Sequence, residues 1–550
     1  METQRVICDV LCVGGGIAGL MAAIAASENG AVKVVVAEKS NTMHSGAAGM
    51  GNDHFQCYIP DVHGDYEAFA NDLLYGQFAG RISAMGREAM DFWFKNSYEI
   101  VKLWESWGIP MKYEGRYEFA GHSFPGQTLN HLKYSGFNQK PILTKQAREH
   151  SVEILNRVMV FDLITDGQGK VIGALGISTR EDKLIEFEAK SVILGTGPCV
   201  RMWPAPGLQD FNRPLPPSCT GDGRAMAYRA GAELVDLELT AVHAGPKYLA
   251  RAGQATWIGV LRDRYDKPVG TFLTKPNRYY NDMTLEVNKG IFNEYIKSGK
   301  GPIYMDTRGM SEEDLQYMLY WMKHEGNIEL IKHLAEEGID LRKNAVEFMT
   351  YDMHIVGGIP YNSKGQTSLE GLYAAGDEWA GGISCAAVFG WSAGKNAALY
   401  ATSVTSTDLD KVKTDINTRK EMLQDLRSRK DGPKWQEANY ALQQIMRDYC
   451  YTVKSEPLLE AGLETLIRLK EKTHQYLMAE NPHELMHCLE VFNLLDLAEL
   501  VFVGSLDRKE TRGINFIRPD YILTNPMLDA KRHLIRKGPD GLPVTEWRKI

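Results

Sequence analysis

The sequence predicts an α/β fold, with a doubly wound, Rossmann-like domain followed by a helical C-terminal domain. Three observations predict it. Residues 6–38 read as strand, glycine-rich turn, helix and strand. Two apolar strand segments far downstream, "AKSVILGTGP" and "LEGLYAAGD", end in small residues. After residue 408 the apolar residues recur at the 3.6-residue spacing of helices.

The first unit is the most specific. In "VICDVLCVGGGIAGLMAAIAASENGAVKVVVAEKS" residues 6–13 are apolar and rich in β-branched side chains, as a buried parallel strand requires. Gly14, Gly16 and Gly19 follow in GxGxxG spacing. The first permits the tight turn, the second lets backbone approach a pyrophosphate, and the third lets the helix pack close to the sheet. The helix opens at Ile17 and Ala18 and stops near Gly30. The strand "VKVVVAE" then ends in Glu38, placed to accept both hydroxyls of an adenosine ribose. This is a dinucleotide site.

The rest of the chain chooses between the dinucleotides. FAD is long and lies extended, so it needs further backbone approaches. One is Gly376-Asp377, at the end of "LEGLYAAGD", where the carboxylate suits a ribityl hydroxyl. The helix after it, in "GISCAAVFGWSAGKNAALYA", would turn its N-terminal N–H groups toward the flavin C2 carbonyl. Another is Gly195-Thr196-Gly197. These segments favour FAD.

Composition excludes other classes. The 550 residues are 44 % hydrophobic and 24 % charged, an ordinary globular balance. A net charge of -8 argues against a nucleic-acid partner. No run of about 18 apolar residues is long enough to span a membrane, so no transmembrane segment is expected. The N-terminus lacks a basic n-region and a cleavage site. The eight cysteines are scattered with no CxxC pair, which argues against an iron–sulfur cluster or zinc in this chain and suits a reducing, cytoplasmic setting.

With these motifs placed, the chain resembles the FAD-binding flavoprotein subunits of fumarate reductase, succinate dehydrogenase and adenylylsulfate reductase, over essentially its whole length. "SCTGDGRAMAYRAGAELVDLEL" resembles the family's TGDG element, "GLYAAGD" its C-terminal FAD motif, and "GPIYMDTRGMSEEDL" its capping domain. "HELMHCLE", "ETRG" and "RDRYDKPVGTFL" are most similar to the adenylylsulfate reductase α branch. The resemblance implies a Rossmann-like FAD domain in two pieces, residues 1–238 and 348–405, an inserted α+β capping domain at 239–347, and a helical C-terminal domain at 406–550. It also implies that FAD is lined by Lys39, Asn41, Thr42, Ser45, Gly46 and Gly49 in the loop after Glu38. Val160, Asp222, Ser384 and Ser392 are implied to line it farther along the chain.

That loop, "KSNTMHSGAAGMGNDHFQCY", carries His44. Succinate dehydrogenase-type members have His-Thr-x-Ala-Ala at this place and bond the histidine to the flavin. The adenylylsulfate branch tends to read Arg-Ser-Gly and holds FAD non-covalently. This chain reads His-Ser-Gly-Ala-Ala, so His44 is expected at the flavin edge, with or without a bond.

The departures concern the substrate. The family's capping-domain Arg-Asp pair reads Asn281-Asp282 here, and the arginine of its second FAD segment is absent from "ISCAAVFGWSAG". Arg278 would replace the first only after a register shift. Arginine pairs bidentately with a carboxylate, so its loss argues against a C4 dicarboxylate. The catalytic candidates are His354, ahead of the apolar "IVGGIP"; His243, after "LVDLELTAV"; and Arg262 and Arg264, in the segment like the adenylylsulfate branch. Tyr265, Glu378, Trp379 and the loop histidine His122 have lesser claims. The expected function is redox chemistry on a small anionic substrate at flavin N5. The alternatives are action on another organic acid, or an electron-transfer subunit with a degenerate substrate site. The resemblance implies a ferredoxin-like iron–sulfur partner in a hetero-oligomer.

Overall fold

The computed structural model describes residues 1–75, 85–121, 126–205, 215–247, 257–269, 275–279 and 291–549. At its centre is a seven-stranded sheet. Strand β1 (Glu2–Val13) lies parallel to β2 (Val34–Glu38), with Val10 opposite Val34 and Val13 opposite Ala37. On its other side it lies parallel to the strand Lys183–Leu194. Glu153–Asn156 extends the sheet beyond β2, also in parallel. The second half of β1 and all of β2 are buried, because helices cover both faces of a parallel sheet.

Lys183–Leu194 is long enough to serve two neighbours on one edge. Its first half pairs antiparallel with Val171–Ser178, which pairs in turn with Val158–Thr165. Its last residues pair parallel with Leu372–Ala374. The two expected pieces of the FAD domain therefore meet in one sheet, across the end that carries Gly195.

Helix α1 (Ile17–Glu28) is crossed by the helix Ile383–Ser403 at very short range. A Cβ on Gly390 would stand 2.5 Å from the Ala18 carbonyl oxygen, and one on Gly394 2.0 Å from that of Ala22. Two glycines four residues apart, facing two alanines four residues apart, let the backbones touch. This contact locks the second piece of the domain onto the first.

The capping domain has its own core, including Trp257, Met305, Met318, Trp321 and Phe348. A four-stranded antiparallel sheet runs in the order Thr240–Pro246, Val346–Ile355, Ile303–Asp306, Val260–Arg262. The entering and leaving strands are neighbours, Thr240 opposite Ile355 and Ala241 opposite His354. Helices Glu312–His324 and Ile328–Glu336 cover the sheet. Ser311 caps the first, accepting from the Asp314 N–H at 3.1 Å, and three acids fill its first turn. The cap presses on a small three-stranded sheet of His54–Gln56, His131–Lys133 and Glu118–Phe119. At this seam Gly51 leaves room for the His324 carbonyl and Gly326 for that of Met50.

Four helices follow: Lys413–Ser428, Trp435–Tyr449, Glu456–Tyr476 and Pro482–Asp507. The last is buried through most of its length, Glu490 and Asn493 included. One addition to the helical expectation is a terminal hairpin, Lys531–Lys537 with Pro543–Lys549, which pairs with Leu234–Val235.

Candidate cofactor and active site

The glycines of the fingerprint hold three different positions. Gly14 has φ +94°, and a Cβ there would meet the Gly195 carbonyl at 2.5 Å. A Cβ on Gly19 would stand 1.8 Å from the Gly14 carbonyl. Gly16 faces open space, with Gly195 O at 3.9 Å the nearest atom to its missing Cβ. The first two serve the fold; the third leaves room in front of α1. Glu38, at the end of β2, accepts from the backbone N–H of Gly15 and of Ser40, each at 2.7 Å.

The loop after Glu38 folds back on this turn. Asn41 turns it, its carbonyl accepting from the N–H of His44 and Ser45 and its side chain from Met43. Gly46 lies against Gly16, and Gly49 makes room for the His44 carbonyl. The Thr42 hydroxyl and the Ser45 hydroxyl are buried there without a hydrogen-bond partner, and so is that of Thr144 on the helix Gln139–Glu149. Buried hydroxyls are normally satisfied, so this group points to a ligand rich in acceptors. Lys140, in the first turn of the same helix, donates to the Gly15 carbonyl. Burial pulls Lys140 down to about 8, against the pull of the Glu38 carboxylate. An open glycine face, three hydroxyls and a buried amine fit the pyrophosphate of FAD.

The downstream segments converge through Arg224. Its buried guanidinium donates to the carbonyls of Gly357 (3.0 Å), Gly197 (2.9 Å) and Asp377. Asp377 accepts from the Gly382 N–H at 3.2 Å, which fixes its carboxylate at the N-terminus of the helix Ile383–Ser403. Glu378 turns the other way. It is fully buried and accepts from the Thr196 N–H and hydroxyl, both at 2.6 Å. Burial raises its carboxyl, which Arg224 and Thr196 oppose.

Other expected lining residues are engaged within the protein. Ile17 and Ala18 are buried in the first turn of α1, and Val160 in its strand. Ser384 accepts from the Trp93 indole at 2.8 Å, and Ser392 donates to the Ser363 carbonyl. Lys39 and Asp222 pair with each other at 2.8 Å and turn to the C-terminal domain, Lys39 to Glu490 at 2.7 Å and Asp222 to Asn493. The His44 side chain is exposed on its loop.

The substrate candidates separate. His354 stands on the strand leaving the cap, opposite Ala241, next to the point where Ile355 bonds the Cys199 carbonyl. His243 lies on the neighbouring strand just past a register shift. Arg262 is paired with Asp306 at the far edge of the cap sheet, away from Thr240–Pro246. Arg264 is exposed, its guanidinium over the exposed Tyr265 ring. Arg278 pairs with Glu313 and Asp314. Trp379 is buried under Arg532 and against Tyr361, in the core. His122 and Asn281-Asp282 lie outside the described residues. The two histidine positions thus share the root of the cap, and the two arginines do not join them. Sequence reasoning missed Lys140 and Arg224. Arg224 sits inside the TGDG element, where its neighbours were read instead.

Comparison with known proteins agrees with this geometry. Residues 9–389 match the FAD binding domain family, and residues 439–538 match the fumarate reductase flavoprotein C-terminal family. A fumarate reductase (CoM/CoB) subunit of Methanothermobacter marburgensis is 26 % identical, covering 96 % of this chain and 96 % of its own length. The L-aspartate oxidase of Vibrio cholerae is 25 % identical over 97 % of each. Among solved structures, adenylylsulfate reductase from Archaeoglobus fulgidus superposes with a TM-score of 0.84 at 21 % identity, covering 100 % of this chain and 96 % of that one. E. coli quinol fumarate reductase gives 0.84 at 21 %, covering 100 % and 97 %. The chain belongs to the FAD binding domain family, carries a fumarate reductase flavoprotein C-terminal domain, and is an FAD-dependent oxidoreductase.

Proposed function

We propose that the protein is a flavoprotein subunit that oxidises or reduces a small anionic substrate between the FAD domain and the cap, with adenylylsulfate reductase α as its template. The observation that carries this reading is the root of the cap. Val346–Ile355 runs directly into the FAD domain, where Val235 and Gly358 exchange backbone hydrogen bonds of 2.8 and 2.9 Å. His354 therefore stands where cap and cofactor segments meet. FAD, when bound, supplies two-electron exchange. The chain's own part is to hold it through Glu38, Thr42, Ser45, Lys140 and Asp377. The N-terminus of the helix Ile383–Ser403 then faces developing negative charge. The cap excludes water from the cleft.

The electrons need an outlet. The fumarate reductase relatives are named as subunits, and among the described residues no group of His, Cys, Asp and Glu is placed to hold a metal ion. A small ferredoxin-like iron–sulfur subunit fits this need. Eight buried free thiols suit a reducing, cytoplasmic compartment. No helix among the described residues is long and apolar enough to cross a membrane. Tagged protein purified from its native host, assayed for iron and for small co-purifying chains, tests the partner. Turnover of adenylylsulfate against fumarate, with a reduced dye as donor, tests the substrate class. Fumarate turnover without adenylylsulfate turnover would reverse the choice of template.

A further inference from the structure

The three-stranded sheet at the seam has one polar face. His54 lies opposite Lys133, Gln56 opposite His131, and Glu118 opposite Lys133. Residues directly opposite in an antiparallel pair share a face, so these five side chains point the same way. Phe55 and Leu132 take the other face, where Phe55 packs on Trp104 and Tyr134.

The polar face is built rather than incidental. Asp53, fully buried, accepts from His54 Nδ1 at 2.8 Å and from Lys133 Nζ at 2.5 Å. The His54 and His131 rings stand 5.4 Å apart, centre to centre. His131 and Lys133 are buried, while His54 keeps 30 % of its side chain open. A buried lysine and carboxylate are costly to desolvate, so this pair is a built feature of the face. Lys133 is balanced by Asp53 at 2.5 Å, and Glu118 pairs with Arg116 at 3.4 Å, so the charged side chains of this face are already paired.

Its position matters as much as its make-up. A Cβ on Gly382 would stand 3.3 Å from Gln56 Oε1, so the wall begins at the helix N-terminus assigned to the flavin. At its other end Lys133 lies 5.6 Å from the centre of the Trp321 ring, on the cap helix. The face spans from the cofactor segment to the cap.

We propose that His54, Gln56 and His131 form the oxyanion-binding wall of the substrate pocket, and that His54, oriented by Asp53, is its proton-transfer residue. This rests on the anionic-substrate reading above and supplies a group where the family arginine is missing. Asp53 holds Nδ1, so Nε2 is the nitrogen that exchanges the proton. When substrate is reduced, the Nε2–H bond breaks as that hydrogen bonds to the substrate; oxidation runs the reverse. The two electrons are exchanged with FAD. Asp53 is a positioning residue. Lys133 holds its second oxygen, so the carboxylate keeps one orientation.

Sulfite and succinate serve as probes for a sulfur oxyanion and a carboxylate. Sulfite is titrated into holoprotein while the flavin absorbance is followed, and succinate is added as competitor. His54→Gln and Gln56→Ala are expected to weaken sulfite binding at least about tenfold, with FAD content and melting temperature unchanged. Added imidazole is expected to restore sulfite binding to His54→Gly, which a packing role would not allow. If both variants bind sulfite within about threefold of wild type, the wall is wrong. Should His54→Gln lose FAD, Gln56→Ala decides alone. If wild-type holoprotein responds to neither probe, the anionic-substrate reading falls and the wall with it. Competition by succinate assigns the wall to carboxylates; bleaching without competition assigns it to sulfur oxyanions.

Discussion

Gly16 and Gly19 belong to one motif, but a side chain fails at each for a different reason. Gly16→Val is expected to fold with an unchanged melting temperature and to bind no FAD, because only open space lies before it. Gly19→Ala is expected to cost about 1–3 kcal/mol or more in the apoprotein, since its Cβ would overlap a carbonyl. Thermal melts with and without FAD separate the two. Lys140 gives a second prediction. Below about pH 8 its amine is already charged without FAD; above that it is largely neutral. A pyrophosphate would favour the charged form, so binding at about pH 9 should take up close to one proton. At about pH 7 it should take up almost none. Calorimetry in buffers of different ionisation heat reads this directly, and Lys140→Met should bind FAD more weakly with no uptake at either pH. At this scale the sequence was legible where chemistry is local. Gly14, Gly19 and Glu38 announce themselves within one supersecondary unit. Lys140 did not, because it meets Gly15 across 125 residues and nothing in "NQKPILTK" marks it.

The helix pair is the element that makes one site from two segments. Gly390 and Gly394 carry no turn signal and sit inside a helix, where glycine is otherwise unfavourable by about 1 kcal/mol. Their role appears only against Ala18 and Ala22. Gly394→Val is expected to leave little soluble protein, as its Cβ would stand 2.0 Å from the Ala22 carbonyl. Ser392→Ala, one helix face away, is expected to be tolerated; expression and melting check both. The capping domain was legible as helices by periodicity, and as a sheet only through the family resemblance. Its strands are short and paired across distant residues, such as Ile303 with Phe348. Arg262 shows the same limit. The sequence shows an arginine in a suggestive segment, but only the fold shows Asp306 holding it at the sheet edge.

Across the whole molecule, the FAD and C-terminal domains are joined by charge as well as by apolar packing. Glu490 is fully buried and meets Lys39 at 2.7 Å and Arg201 at 2.9 Å. Burial alone would raise its carboxyl, but Lys39, Arg201 and His487 hold it well below the usual range. A carboxyl lowered in the fold stabilises above its unfolded value and loses that contribution as pH falls. Stability is therefore expected to decline from about pH 4.3 downward. Glu490→Gln should lose about 3–5 kcal/mol near neutrality and show a flatter acid limb in denaturant melts. The crossing of α1 by the helix Ile383–Ser403 also has a consequence for how the chain is made. The alanine stripe of α1 leaves the ribosome more than 350 residues before the glycines that cover it. At 5–20 residues per second that interval is roughly 20–70 seconds. Throughout it the nascent fingerprint has neither its partner helix nor the Gly376-Asp377 segment proposed to hold the far end of FAD. Cofactor loading is thus deferred until translation is nearly over, and a chain stalled before residue 383 would present a bare apolar helix to the chaperones.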